Sequence, residues 1–320
     1  MIPYPWIDEA AHRIAPHVRA TPITYDRQND LYIKWENRQV TGSFKARGTF
    51  NKILILEDWE RQAGLLAASA GNHGQGVALA AQTTNVPATI YAPEEAPTVK
   101  INAMRELGAD VRLIPGGYGE AERIARKQAE ESHATWVSPY NDGLVIAGQG
   151  TLALEAIQQL EAYPEFAMEE SVWVVPVSGG GLVAGVGAAI KNLPNPPRLV
   201  AVQTEAEPFM HALYYQDTQD IQVEAPTIAD GLSGPVEENS ITIPLIREYV
   251  DEIVLVSEKE IIQAIATAWH QYGERIEAAG AVVLAAALSG VVSQRPAILV
   301  ISGGNIEPKK HQEIVTANIG

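Results

Sequence analysis

The sequence contains no cysteine. That excludes a disulfide scaffold, a thiolate zinc site, an iron–sulfur cluster and a cysteine nucleophile. It suits a reducing compartment, and the cytoplasm is the expected location. Basic residues are scarce. Lys and Arg total 23 against 39 Asp and Glu, so the formal charge is 23 − 39 = −16. Nucleic acids and anionic membrane surfaces are held by basic patches, so neither is an expected partner. No apolar run reaches the roughly 18 residues of a membrane span. The longest candidate, 278–292, is interrupted by Gly280, Ser289 and Gly290 and reads as a buried helix. At the N-terminus, Asp8, Glu9 and two early prolines stand where a signal peptide would have a basic segment and an apolar stretch, so none is expected.

What is present is material for a core. Of the 320 residues, 46% are hydrophobic and 19% charged, which rules out intrinsic disorder. The length suits two domains or one large α/β unit. Strand and helix patterns alternate. Strands are expected at 31–36, 65–69, 89–92, 111–115, 135–137, 172–177, 253–256 and 297–301. Helices are expected at 44–56 with Ser43 as cap, after Asn72, at 98–107, 120–132 and 146–160, and after the Ser257/Glu260 capping box. The acidic, proline-bearing stretch 205–238 has weak periodicity and reads as loops with short helices. Such alternation predicts an α/β fold with mostly parallel sheets flanked by helices and a site in a cleft.

Three glycine-rich segments follow expected strands: Ser69-Ala70-Gly71-Asn72-His73-Gly74, Ser178-Gly179-Gly180-Gly181 and Ser302-Gly303-Gly304-Asn305. Ligands bind at the carboxyl ends of strands in such sheets. Glycine lets backbone amides approach an anion, so the 178–181 loop reads either as a phosphate cradle or as a tight turn. Neither a P-loop nor a dinucleotide fingerprint is present, so nicotinamide binding fits poorly. Lys45 lies between Phe44 and Ala46 at the start of an apolar helix. Desolvation there would lower its pKa and make the amine nucleophilic; the alternative is a surface lysine at a helix end.

The segments Ser43-Phe44-Lys45-Ala46-Arg47-Gly48, Ser69-Ala70-Gly71-Asn72-His73-Gly74, the glycine loop after Val174-Val175-Pro176-Val177, and Ser302-Gly303-Gly304-Asn305 come in a specific order. Together they make the chain resemble the serine/threonine dehydratase family, pyridoxal-phosphate enzymes of the tryptophan-synthase-β fold type. The resemblance runs from about Arg19 to Asn305 and includes Val145–Thr151 as V-I-A-G-Q-G-T and Thr227–Gly231 as T-I-A-D-G. It implies two α/β domains with pyridoxal 5′-phosphate in the cleft between them: a large one of residues 1–60 and 145–320, and a small one of residues 61–144.

The resemblance also implies roles. Lys45 would hold the cofactor covalently as a Schiff base and move the Cα proton. Phe44 would pack against the cofactor ring, and Ser178, Gly179, Gly180, Gly181 and Leu182 would form its phosphate loop. Asn72 would donate to the ring 3′-oxygen, and Ser302 would face the ring nitrogen. Ser69, Ala70, Gly71, Asn72 and His73 would grip the substrate carboxylate, with His73 a buried residue orienting the loop. The implied reaction is dehydration of L-threonine or L-serine to a 2-oxo acid and ammonia, by a homodimer or homotetramer. Serine racemisation and elimination from 3-hydroxyaspartate are alternatives on the same scaffold, and a non-catalytic binding protein is a remote one.

The departures are Ala70, where racemases carry a second serine, and Gln203, where many relatives have a cation-binding Glu. No metal is therefore expected, although Glu205 or Glu207 could compensate. Glu277-Ala278-Ala279-Gly280 replaces a more usual E-P-x-G. The roles of Glu277 and of Tyr140-Asn141-Asp142 stay open. Fifteen residues follow Asn305, too few for a regulatory domain, so isoleucine feedback through such a domain is not expected.

Overall fold

The computed structural model describes residues 1–220 and 225–318. Among the described residues ten strands run in chain order: β1 (Ile23–Asp26), β2 (Leu31–Trp35), β3 (Leu65–Ala68), β4 (Ala88–Pro93), β5 (Asp110–Ile114), β6 (Thr135–Trp136), β7 (Val172–Pro176), β8 (Arg198–Thr204), β9 (Glu252–Val256) and β10 (Ala297–Ile301). They form two sheets. One has the order β1-β2-β10-β7-β8-β9, and the other β5-β4-β3-β6. Every pairing is parallel except β1 with β2.

The continuous apolar character of β7 has a direct cause: both its faces are covered. Trp173 and Val175 pack with the helices Gly143–Leu160 and Gly181–Ile190, whereas Val172 and Val174 pack with the helix Ala278–Leu288. Strand β10 divides in the same way, with Ile298 and Val300 on one side and Leu299 and Ile301 on the other. The second sheet is covered by the helix Tyr118–Ser132 on one face, through Ala121, Ala125 and Ala129. Its other face meets Phe50, Ile53 and Val77.

The elements differ from expectation in identifiable places. The helix Tyr4–Ile14 buries Ile7, Ala10 and Ile14; prolines stand at its start, where a missing N–H costs nothing. Strand β1 is a half-buried edge strand of four residues, too short for a period to register. The helices Asp58–Ala63 and Pro308–Ala317 were likewise not expected. Within 205–238 there is a helix Phe209–Gln216 and a turn of 3₁₀ helix Asp230–Leu232, while 221–224 lie outside the described residues.

The Ser257/Glu260 capping box forms as expected, but Ser43 does not cap. The helix Lys45–Leu54 starts after Phe44, whose N–H donates to the Ser302 carbonyl at 3.0 Å. Ser43 is bridged by its backbone to Gly303, and its hydroxyl has no hydrogen-bond partner among the described residues. The C-terminal motif, rather than a side chain, fixes where this helix begins.

Arg47 then locks the helix in place. Its guanidinium is 1% exposed and binds Glu36 at both ends, Nε to Oε2 at 2.8 Å and Nη2 to Oε1 at 2.7 Å. It also reaches Glu155, at 3.1 Å from Nη1. Lys34, fully buried, joins from β2 and donates to Glu155, to the Thr21 carbonyl at 2.7 Å and to Gln159 at 2.9 Å. Two cations meet two carboxylates, so the buried charge sums to zero. Burial alone would push the Glu36 carboxyl up, but Arg47 outweighs it and holds Glu36 below the usual carboxylate range.

Replacing Arg47 with Met leaves Glu36 buried without its partner, which costs about 3–5 kcal/mol of stability at neutral pH. The native group with a depressed pKa contributes fully at neutral pH and loses its contribution only as acid protonates it. Urea unfolding of Arg47→Met should therefore show a large deficit at neutral pH that narrows toward acid. An unchanged midpoint at neutral pH would contradict the network's role.

Candidate active site

A cavity of about 660 Å³ opens where the two sheets present the carboxyl ends of β3, β4, β7 and β10. Its wall carries Phe44, Lys45, the whole 69–73 loop, the 178–182 segment and Ser302. The residues to which the resemblance gives a cofactor or substrate role are thus brought to one space, although they come from four separate stretches of chain.

Lys45 is the first residue of its helix, and its amine donates to the Pro139 carbonyl at 2.8 Å. The Phe44 ring centroid is 5.2 Å from that nitrogen. Burial pulls the amine down to about 8, against the opposing pull of the Glu277 carboxylate. A lysine there keeps a substantial fraction of neutral, nucleophilic amine near neutral pH.

The 178–181 loop has the geometry of an anion cradle. Gly180 is left-handed, with φ +89°, and ends the turn into the helix Gly181–Ile190, which has no side chain capping its N-terminus. A Cβ at Gly179 would collide with the Tyr140 ring, and one at Gly180 with Ile246. The Thr242 hydroxyl pins the loop by donating to the Gly179 carbonyl at 2.7 Å. Free amides at the start of a helix and an adjacent buried lysine fit the phosphate and the aldehyde of pyridoxal 5′-phosphate. Ser302 is 4% exposed, and its hydroxyl has no protein partner among the described residues. It is free to donate to or accept from a ring nitrogen.

The 69–73 loop leads into the helix Asn72–Thr84, again without a side-chain cap. His73 is 4% exposed and its Nε2 lies 2.8 Å from the Val137 carbonyl. A carbonyl only accepts, so Nε2 carries the proton and Nδ1 is the bare nitrogen of a neutral ring. Burial, reinforced by the nearby Lys45 charge, pushes the imidazole down to about 3. His73 is a fixed, neutral part of the loop.

Four wall residues were missed or left without a role. Glu277 is 5% exposed, and burial, with Asp230 nearby, raises its carboxyl to about 7. Tyr140 packs on the glycine loop and accepts from the Glu237 N–H at 2.8 Å. Lys100 and Asp230 form an ion pair of 2.7 Å across the cavity, between the helix Thr98–Glu106 and the 227–231 stretch. That stretch is fastened by Glu258, which accepts from the Thr227 hydroxyl at 2.6 Å and the Ile228 N–H at 2.9 Å. The signal for Glu277 was the E-x-x-G remnant itself. Tyr140 and Asp230 lie in stretches that the sequence marks without giving them a role, and for Lys100 it offers no signal, because its partner is 130 residues away along the chain.

Gln203 is fully buried on β8, and its carbonyl oxygen accepts from the His211 N–H at 3.0 Å, at the start of the helix Phe209–Gln216. The neutral amide serves a helix end there. Glu205 is exposed, and Glu207 accepts from the Gly234 N–H at 2.6 Å. Among the described residues no three His, Asp or Glu side chains converge as a metal site would require. No helix among them is long and apolar enough to cross a membrane.

The Lys45 amine should titrate near 8 in the cofactor-free protein. Because the Glu277 carboxylate opposes burial, Glu277→Gln should move that titration lower still. Competitive acetylation followed by peptide mapping measures both. A Lys45 that titrates with the surface lysines would show that it is solvated.

Comparison with known proteins agrees with this geometry. A family described as pyridoxal-phosphate dependent enzyme matches residues 10–303. An L-threonine ammonia-lyase of Thermotoga maritima is 41% identical over 320 residues, covering 98% of this chain and 78% of the relative. The structure of a threonine deaminase from T.th. superposes with a TM-score of 0.86 at 36% identity, covering 95% of this chain and 99% of that one. Maize serine racemase gives 0.88 at 30% identity, covering 99% and 98%. A buried lysine facing a glycine cradle, within a match that spans nearly all of its length, means that this chain belongs to the pyridoxal-phosphate dependent enzymes.

Proposed function

We propose that this chain dehydrates and deaminates L-threonine, and L-serine, to a 2-oxo acid and ammonia. The observation that carries the reading is the Lys45 amine, buried and lowered to about 8 between two uncapped helix N-termini. The names of its relatives narrow the substrate to threonine. Pyridoxal 5′-phosphate would supply an electron sink conjugated to the substrate's amine. The protein's part is to bind, orient and move protons. The 178–181 amides hold the phosphate. The 69–73 amides hold the substrate carboxylate, with neutral His73 fixing the loop through Val137. Phe44 supports the ring and Ser302 serves its nitrogen with a neutral hydroxyl. The Lys45 nitrogen would hold the cofactor at rest; once the substrate's amine has displaced it, it would take the Cα proton and pass it to the departing β-hydroxyl, which would leave as water.

Similarity to maize serine racemase favours a second reading, racemisation. Ala70 weighs against it, since it lines the cavity without a hydroxyl to deliver a proton from the opposite face. Elimination from 3-hydroxyaspartate would need a spare cation, and Lys100 is already paired with Asp230. The division into residues 1–60 with 145–320 and residues 61–144 belongs to the same proposal; it is supported by the two sheets, whose strands fall on either side of those limits. A homodimer or homotetramer belongs to the same proposal, and the exposed Trp59 and Trp269 are apolar surface available to such an assembly. The cytoplasmic assignment rests on the composition.

Borohydride reduction of the holoenzyme should label the Lys45 peptide, and Lys45→Ala should lower elimination by on the order of 10⁴. Release of 2-oxo acid from a panel of β-hydroxy amino acids tests the substrate; a wild type that releases none from threonine or serine overturns the proposal. Ala70→Ser should raise D-serine formation, by up to about 10²-fold, because it restores an acid–base group. Chiral chromatography measures it, and wild-type racemisation as fast as elimination would favour the second reading.

A further inference from the structure

Four stretches of chain meet in one line of hydrogen bonds behind Asn72. The Asn305 side-chain nitrogen donates to the Thr41 carbonyl at 2.8 Å. It also donates to Oδ1 of Asn72 at 2.7 Å. Nδ2 of Asn72 donates to Oε1 of Glu277 at 2.6 Å. The three links span 264, 233 and 205 residues of sequence, so none is a by-product of local structure.

Chemistry gives the line a direction. The two ends of an asparagine amide have nearly the same shape, and a turned amide presents an acceptor where a donor stood. A peptide carbonyl can only accept, so Thr41 fixes the nitrogen of Asn305. That nitrogen in turn fixes Oδ1 of Asn72. The Glu277 carboxylate fixes the other end, and one N–H of Asn72 remains. Asn72 stands on the cavity wall beside Lys45 and Ser302.

Two glycines make room for the outer members. Gly42 is left-handed, with φ +71°, and a Cβ there would collide with the Asn305 side chain; a Cβ at Gly303 would collide with the Glu277 carboxylate. The backbone of both motifs is therefore shaped around this line.

We propose that Asn305 and Glu277 are positioning residues that hold Asn72 with its nitrogen toward the 3′-oxygen of the cofactor ring. The inference rests on the reading of Asn72 as the donor to that oxygen. A donor at an ionised oxygen favours the charged form. Turning the amide over would place a lone pair there and favour the neutral form.

The test loads purified variants with pyridoxal 5′-phosphate. It reads the dissociation constant by fluorescence titration, and the ratio of the absorbance bands of the bound cofactor with ionised and neutral ring oxygen. Asn305→Asp keeps the size but cannot donate. Glu277→Gln keeps an acceptor, and Glu277→Met does not. Asn305→Asp and Glu277→Met should weaken cofactor binding about tenfold, the effect of one lost hydrogen bond. Both should shift the bands toward the neutral form and lower kcat, with KM within about twofold. Glu277→Gln should restore the wild-type spectrum. The Glu277 pair is an independent arm, which exposes the inference to the same readings if Asn305→Asp does not fold. A wild-type band ratio and affinity in Asn305→Asp, or in Glu277→Met, overturns the inference. Asn72→Ala separates the two levels: if it shifts the bands and Asn305→Asp does not, only the positioning fails; if it shifts nothing, the reading of Asn72 fails as well.

Discussion

The neutral knot of Arg47, Glu36, Glu155 and Lys34 is the constraint on which the rest of the site depends. Lys45 sits two residues before Arg47, on the first turn of the same helix. Buried charges of this kind seldom add net stability over an apolar core, yet they tolerate little displacement, because each member left alone would be costly. Here the knot ties β2 and the helix Gly143–Leu160 to the lysine-bearing helix. The helix that carries the Lys45 amine is held by ionic geometry that never enters the cavity.

The titratable groups of the cavity wall are tuned by desolvation more than by neighbouring charge. Burial is the leading cause of the lowered Lys45 amine, the raised Glu277 carboxyl and the lowered His73 imidazole. A chain with a formal charge of −16 would otherwise present a hostile field to a phosphorylated cofactor and an anionic carboxylate. The uncapped starts of two helices offer backbone amides to anions in the cavity without adding mobile side chains. The surplus of acid is spread over exposed surface, where water screens it.

Much of this was legible in the sequence because the decisive signals are local. A glycine run after a Val-rich strand, and a lysine between Phe44 and Ala46, carry their meaning within a few residues. The parallel sheets were legible from β7 and β10, whose unbroken apolar runs require cover on both faces. What could not be read depends on partners brought together by folding. Tyr140 matters through Gly179, Thr242 through the Gly179 carbonyl, and Glu277 through Asn72. Ser43 was misread for the same reason. Its sequence context is that of a cap, but the Ser302 carbonyl and the Gly303 bridge had already claimed the backbone there.

That arrangement has a consequence for how the enzyme is made. Strand β10 lies between β2 and β7, in the interior of its sheet, and the Ser302 carbonyl just beyond it accepts the Phe44 N–H at the start of the lysine-bearing helix. A growing chain emits its N-terminal residues first, and contacts of long sequence separation form late. Until residues 297–302 have been made, the sheet lacks its inner strand and the Phe44 N–H lacks its acceptor. A chain cut short of Ser302 would therefore carry Lys45 without the carbonyl on which its helix begins.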